Sequence, residues 1–209
     1  HFLDHLCAHV LEFVLKFDFL GYRHAVLGYR RCTEGLFNQD IAALGSQRRL
    51  DGIGQGVGAC VKHFVANDQE FERFTIDVQV DERPLREIYL PPFEAAVTEA
   101  NVWSVMGAYN FVNGDHACAH PELLETILKQ EWGFQGFVVT DWGAIKETDS
   151  PALNGLDLEM PGPGRQWGHG RLEAAVTEGR VPESLIDEMA GELGLDPREA
   201  GPLLGLVRQ

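Results

Sequence analysis

Val138-Val139-Thr140-Asp141-Trp142-Gly143 is a short β-branched run that ends in a carboxylate beside an indole. Such a run reads as a buried parallel strand, and a polar residue where it stops reads as one delivered to the open end of a barrel. Two further runs have the same form. Gly58-Ala59-Cys60-Val61 leads into Lys62-His63-Phe64, and Ser104-Val105-Met106-Gly107-Ala108 leads into Tyr109-Asn110. Three apolar runs with polar ends predict a single site along one edge of a sheet.

Working outward, strands are expected over 57–64, 102–110, 137–142 and 156–160. Helices are expected over 84–100, 120–132, 171–178 and 182–193. Pro91-Pro92 divides the first helix into two pieces, because proline lacks the backbone donor and crowds the preceding turn. Pro121 suits the start of the second and Gly133 its stop. Strands alternating with helices imply a parallel sheet, in a barrel or a doubly wound fold. Four strands are too few to close an eight-stranded barrel, so the expected class is α/β, an incomplete (β/α) TIM-like barrel with a helical N-terminal extension.

The flanks read differently. Residues 2–20 form a fair amphipathic helix, interrupted by Asp4, Glu12 and Asp18, and residues 21–56 hold no sustained period. The expected division is a helical and irregular segment at 1–52, a partial barrel at 53–193 and a tail at 194–209.

Composition narrows the function. The chain has 209 residues, 44% hydrophobic and 23% charged, which fits an ordinary globular protein. Its net charge of −15 argues against nucleic acid or an anionic membrane as partner, since both reward a basic face. Cys7, Cys32, Cys60 and Cys118 have no CxxC or zinc-like spacing and read as reduced structural thiols. His116, His120 and His169 lack the spacing of a helical metal pair, so no metal is assigned. No signal peptide is legible; location stays open, with the cytoplasm favoured.

Asp141 is the lead candidate for a nucleophile or base, with Trp142 as a platform for a sugar ring; the plainer alternative is a side chain that braces the next turn. Lys62-His63 offers a cation beside a neutral donor, suited to binding hydroxyls or holding a carboxylate ionised. Met106 and Tyr109 lie three apart, so in a strand they face opposite sides unless a bulge intervenes; taken singly, Met106 reads as core and Tyr109 as a packing aromatic. Asn67, Glu70 and Arg73 fall in an irregular segment where an Arg–Glu pair braces a loop.

Five stretches together resemble glycoside hydrolase family 3 of the β-glucosidase type. They are KHFVANDQEFERF (62–74), VDERPLREIYLPPFEAAV (80–97), SVMGAYNFVNG (104–114), LKQEWGFQGFVVTDWGA (128–144) and GLDLEMPGP (155–163). The resemblance covers roughly 56–189 and corresponds to the second half of a barrel domain. It implies retaining hydrolysis of β-glucosides without metal or organic cofactor. Asp141 matches the family's nucleophile, Trp142 the ring that walls the sugar subsite, and Lys62 and His63 the pair that hydrogen-bonds sugar hydroxyls. Met106 and Tyr109 match residues lining that subsite, with Tyr109 close enough to Asp141 to help position it.

Retaining chemistry uses two carboxyl groups, and in this family the acid/base usually comes from a following domain. Only Asp141 is legible here, and the arginine-bearing segment that precedes KHF in the family is not recognisable. The expectation is therefore a β-glucosidase-like enzyme, incomplete on its own; the alternative is an inactive glycan-binding fragment that keeps the sugar pocket. An open half-barrel exposes strand edges, which predicts a homodimer or larger assembly.

Overall fold

The computed structural model describes residues 59–194. The expected helix at 2–20, the irregular stretch at 21–56 and the tail beyond 194 lie outside the described residues.

Six strands are present among the described residues: β1 (Cys60–Phe64), β2 (Asp77–Val78), β3 (Ser104–Gly107), β4 (Phe111–Val112), β5 (Asp115–His116) and β6 (Phe137–Thr140). β1, β3 and β6 form a parallel sheet in that order. Lys62 pairs with Met106, which pairs in turn with Val139, so the three runs align with their polar ends together. The expected strand at 156–160 joins the far edge through a single parallel bridge, Val139 to Leu158. The backbone amides of Asp157 and Leu158 donate to the Val138 carbonyl, and Thr140 N–H returns to the Leu158 carbonyl. The architecture is thus α/β, with a parallel sheet and helical crossovers.

The crossover from β1 to β3 breaks where the prolines require it. Glu82–Pro84 runs into the wider turn Leu85–Tyr89, and α1 (Pro91–Thr98) starts afresh with proline in its first turn. The crossover from β3 to β6 is the helix Glu122–Glu131, also wound wide, with Trp132 N–H donating to the Ile127 carbonyl. Its apolar face is Leu123, Leu124, Ile127 and Leu128, all buried, a spacing that sets one stripe against the sheet. Gly133 takes a positive φ of 66° and lets the chain turn into β6. α2 (Asp149–Leu153), α3 (Arg171–Thr177) and α4 (Glu183–Glu192) complete the set.

Three features depart from the sequence expectation. β3 stops at Gly107 rather than running to residue 110, so strand alternation does not govern Tyr109, and both Met106 and Tyr109 are buried. β6 likewise ends at Thr140, before Asp141. β2, β4 and β5 form a second small sheet, built on a hairpin whose turn residues Asn113 and Gly114 have φ of 51° and 101°. Asn-Gly between short apolar runs is the sequence signal for that turn. Asn113 then clamps Val80, accepting its N–H and donating to its carbonyl, both at 2.9 Å.

Candidate active site

Asp141 lies one residue past β6, where the sheet stops and the carboxylate meets the loop surface. Its backbone N–H donates to the Gly107 carbonyl at 3.0 Å, so the last rung of the β3–β6 ladder fixes its position. The two carboxylate oxygens have different tasks. Oδ1 accepts the Trp142 N–H at 2.7 Å, and Oδ2 faces His63 Nε2 at 3.2 Å. The turn-bracing reading therefore accounts for one oxygen, and the second remains directed at a side chain. Asp141 is 8% exposed, while Trp142 is 40% exposed beside it, an apolar wall next to a buried charge.

His63 owes its position to an irregularity. The register between β1 and β3 shifts between Lys62 and Phe64, which leaves His63 as the extra residue on its strand. A bulge of this kind re-aims a side chain, and here the imidazole points along the strand ends toward Asp141. Lys62 stays in register opposite Met106 and is exposed, while Met106 is buried.

Tyr109 donates its hydroxyl to the Trp142 carbonyl at 3.2 Å. That bond joins it to the backbone of the Asp141-Trp142 turn, and burial, together with the nearby Asp141 carboxylate, pushes its phenol up to about 12. The hydroxyl thus remains a donor through the physiological range. All six residues singled out from the sequence, Lys62, His63, Met106, Tyr109, Asp141 and Trp142, lie on or just past the ends of three adjacent strands.

Sequence reasoning passed over two neighbours. Arg73 does brace its loop through Glu70 at 2.6 Å, yet its guanidinium carbon also lies 4.8 Å from the centre of the Tyr109 ring. Phe74 packs on the same ring at 4.5 Å between centroids. Both follow Lys62-His63 in one motif, but the chain between them has no periodic pattern from which a direction could be read. Behind the site, Cys118 Sγ donates to the Ala108 carbonyl at 3.4 Å, and burial pushes its thiol up to about 12. It is a packing group rather than a nucleophile.

The geometry now stands beside known proteins. The glycosyl hydrolase family 3 N terminal domain matches residues 34–193. The chain belongs to that family. A β-glucosidase of Rhizobium radiobacter is 54% identical over 132 residues, covering 63% of this chain and 16% of its own length. β-Glucosidase B of Emericella nidulans is 50% identical over 137 residues, covering 66% and 16%. The structure of β-glucosidase 3B from Thermotoga neapolitana in complex with glucose superposes with a TM-score of 0.66 at 43% identity, over 71% of this chain and 22% of that one. This family 3 chain therefore spans about a fifth or less of the length of these relatives.

Proposed function

We propose that this chain carries the nucleophile half of a retaining β-glucosidase site. Asp141 attacks the anomeric carbon to form a glycosyl ester, Trp142 walls the sugar, and Lys62 and His63 hold its hydroxyls, with Met106 beneath and Tyr109 positioning the turn. The observation that carries the reading is the buried Asp141 carboxylate, with one oxygen tied to its own turn and the other 3.2 Å from His63. An oxocarbenium-like transition state needs an ionised oxygen beneath the ring and donors that strengthen as charge develops.

The second carboxyl group, which protonates the leaving oxygen roughly 5–5.5 Å away in such enzymes, is not assigned to a residue of this chain. Glu70 is engaged by Arg73. A leaving group that needs no proton separates the two halves of the chemistry. We expect 2,4-dinitrophenyl 2-deoxy-2-fluoro-β-glucoside to leave one sugar on the peptide that contains Asp141, and Asp141→Ala to stay unlabelled. Glucose binding without any labelling would instead support an inactive glycan-binding fragment.

Two structural proposals accompany this reading. Within the partial-barrel segment, the described residues 59–193 are read as the second half of a (β/α) barrel, because successive parallel strands joined by helical crossovers stand in chain order across the sheet. Among the described residues β1 pairs with β3 alone, and an edge of this kind favours self-association. A homodimer in sedimentation equilibrium is the expected result; a monomer at tens of micromolar would refute the assembly.

A further inference from the structure

Glu159 is a second buried carboxylate, and no step of the sugar chemistry uses it. It is 6% exposed, and its two oxygens accept three consecutive backbone N–H groups. Oε1 takes Arg165 at 2.8 Å and Gln166 at 3.0 Å; Oε2 takes Gln166 at 3.1 Å and Trp167 at 2.7 Å. Successive amides that converge on one acidic group form a nest, and here that group belongs to the chain itself. The loop wraps it closely: a β-carbon on Gly164 would fall 2.5 Å from Oε2.

This loop is fastened to the segment that holds Asp141 at two places. Met160, the residue after Glu159, donates its N–H to Thr140 Oγ1 at 2.9 Å. Its carbonyl accepts the Gly143 N–H at 2.8 Å and the Thr140 hydroxyl at 3.2 Å. Those bonds bracket Asp141-Trp142, one residue before the pair and one after. The second fastening is at Thr148, whose hydroxyl donates to the Gln166 carbonyl at 2.8 Å and whose carbonyl accepts the Trp167 indole N–H at 2.9 Å. Gln166 and Trp167 are two of the residues whose amides Glu159 gathers. One carboxylate thus shapes the loop that grips the Asp141 segment at both ends.

We propose that Glu159 is a positioning residue for Asp141: by folding residues 160–167 about itself, it fixes residues 140–148 and so the aim of the Asp141 carboxylate. The proposal rests on the reading of Asp141 as the nucleophile. Lys62 and His63, which would hold the sugar hydroxyls, belong to β1 and lie outside this grip. The loss on removing Glu159 therefore falls on the reaction of the bound sugar more than on its binding. A group that served the fold alone would lower the folded fraction and leave the reactivity of each folded chain unchanged.

The test is saturation kinetics of labelling on the full chain with 2,4-dinitrophenyl 2-deoxy-2-fluoro-β-glucoside, normalised to the folded fraction by circular dichroism. Glu159→Gln keeps the size of the side chain but turns one acceptor into a donor, which leaves an amide of the nest unpaired. Its limiting rate should fall by about tenfold or more, since misplacement by about 1 Å costs about 10²-fold, while the half-saturating concentration moves by no more than about twofold. Thr148→Val cuts the second fastening, leaves the nest whole, and should lower the limiting rate by a smaller factor. An unchanged limiting rate in Glu159→Gln, or a change confined to half-saturation, would overturn the proposal. If Glu159→Gln does not fold, Thr148→Val decides alone, and an unchanged limiting rate there overturns it. An unaltered chain that takes no label at Asp141 would refute the nucleophile reading itself, and this inference with it.

Discussion

His63 Nε2 lies 3.2 Å from Asp141 Oδ2, although the strands that carry the two residues are not neighbours. β3 separates β1 from β6, which puts their axes roughly 9.5 Å apart at ordinary strand spacing. Two local features close the gap. The register shift at His63 re-aims its ring, and β3 ends in Gly107 followed by Ala108, which leaves little side chain between them. Removing the donor while keeping the strand should expose its contribution. His63→Ala is expected to slow labelling of Asp141 by about 10²-fold, the scale of losing one donor at a developing charge. The check is the second-order rate constant of labelling, with circular dichroism to confirm an unchanged fold.

The close approach at Gly107 is equally specific. A β-carbon there would fall 2.5 Å from Cys118 Sγ, inside any real contact distance. Gly107→Ala alone should lower stability by about 1–3 kcal/mol, in the range for overpacking. Cys118→Ala removes the opposing sulfur, so the double variant should recover part of the loss. A double-mutant cycle in urea measures the coupling; strictly additive effects would show that the two positions do not meet.

At the start of β6, away from Asp141, Lys129 joins Asp157 at 3.0 Å and Glu192 at 2.9 Å, tying the helix Glu122–Glu131 to α4. Asp157 is 2% exposed and also accepts the Val138 N–H at 2.6 Å, at the start of β6. Lys129→Met leaves this acid buried without its cation, and the expected loss is about 3–5 kcal/mol. The midpoint of urea unfolding reports it.

His116 supplies a pH signature. Burial first, and then the charge of Lys146, lower its pKa from 6.5 to about 4. Its Nδ1 accepts the Cys118 N–H at 3.1 Å, a task for the neutral ring. The unfolded chain takes up this proton near its ordinary value, whereas the folded chain resists until lower pH. The associated stability is therefore fully present above about pH 6.5 and is lost as pH falls toward 4, by on the order of 3 kcal/mol in all. Other groups titrate in the same window, so the measured quantity is the difference between the unaltered chain and His116→Asn. That difference should shrink as pH falls; a gap independent of pH would refute the assignment.

Much of the fold was legible residue by residue. The β-branched run before Asp141, the leucine-rich face of Glu122–Glu131 and the break at Pro91 each follow from local rules, because strand pairing, helical periodicity and missing donors act over a few residues. The Asn113-Gly114 hairpin was equally local, and its turn signal lay in the sequence unused. The order of motifs along the chain points to the family without the fold.

Distance, by contrast, was decided only by tertiary structure. Nothing in KHFVANDQEFERF states that His63 leaves its register to face Asp141, or that Arg73 and Phe74 fold back onto Tyr109. The stretch that carries them has no repeat from which a face could be inferred. Which oxygen of Asp141 braces its turn and which faces His63 depends on the ladder through Gly107 and on a ring from a strand two places away. The sequence determined which chemical groups stand at the strand ends, since each is set by its immediate neighbours. Their separations and partners arose from packing, where every contact joins residues that the chain holds far apart.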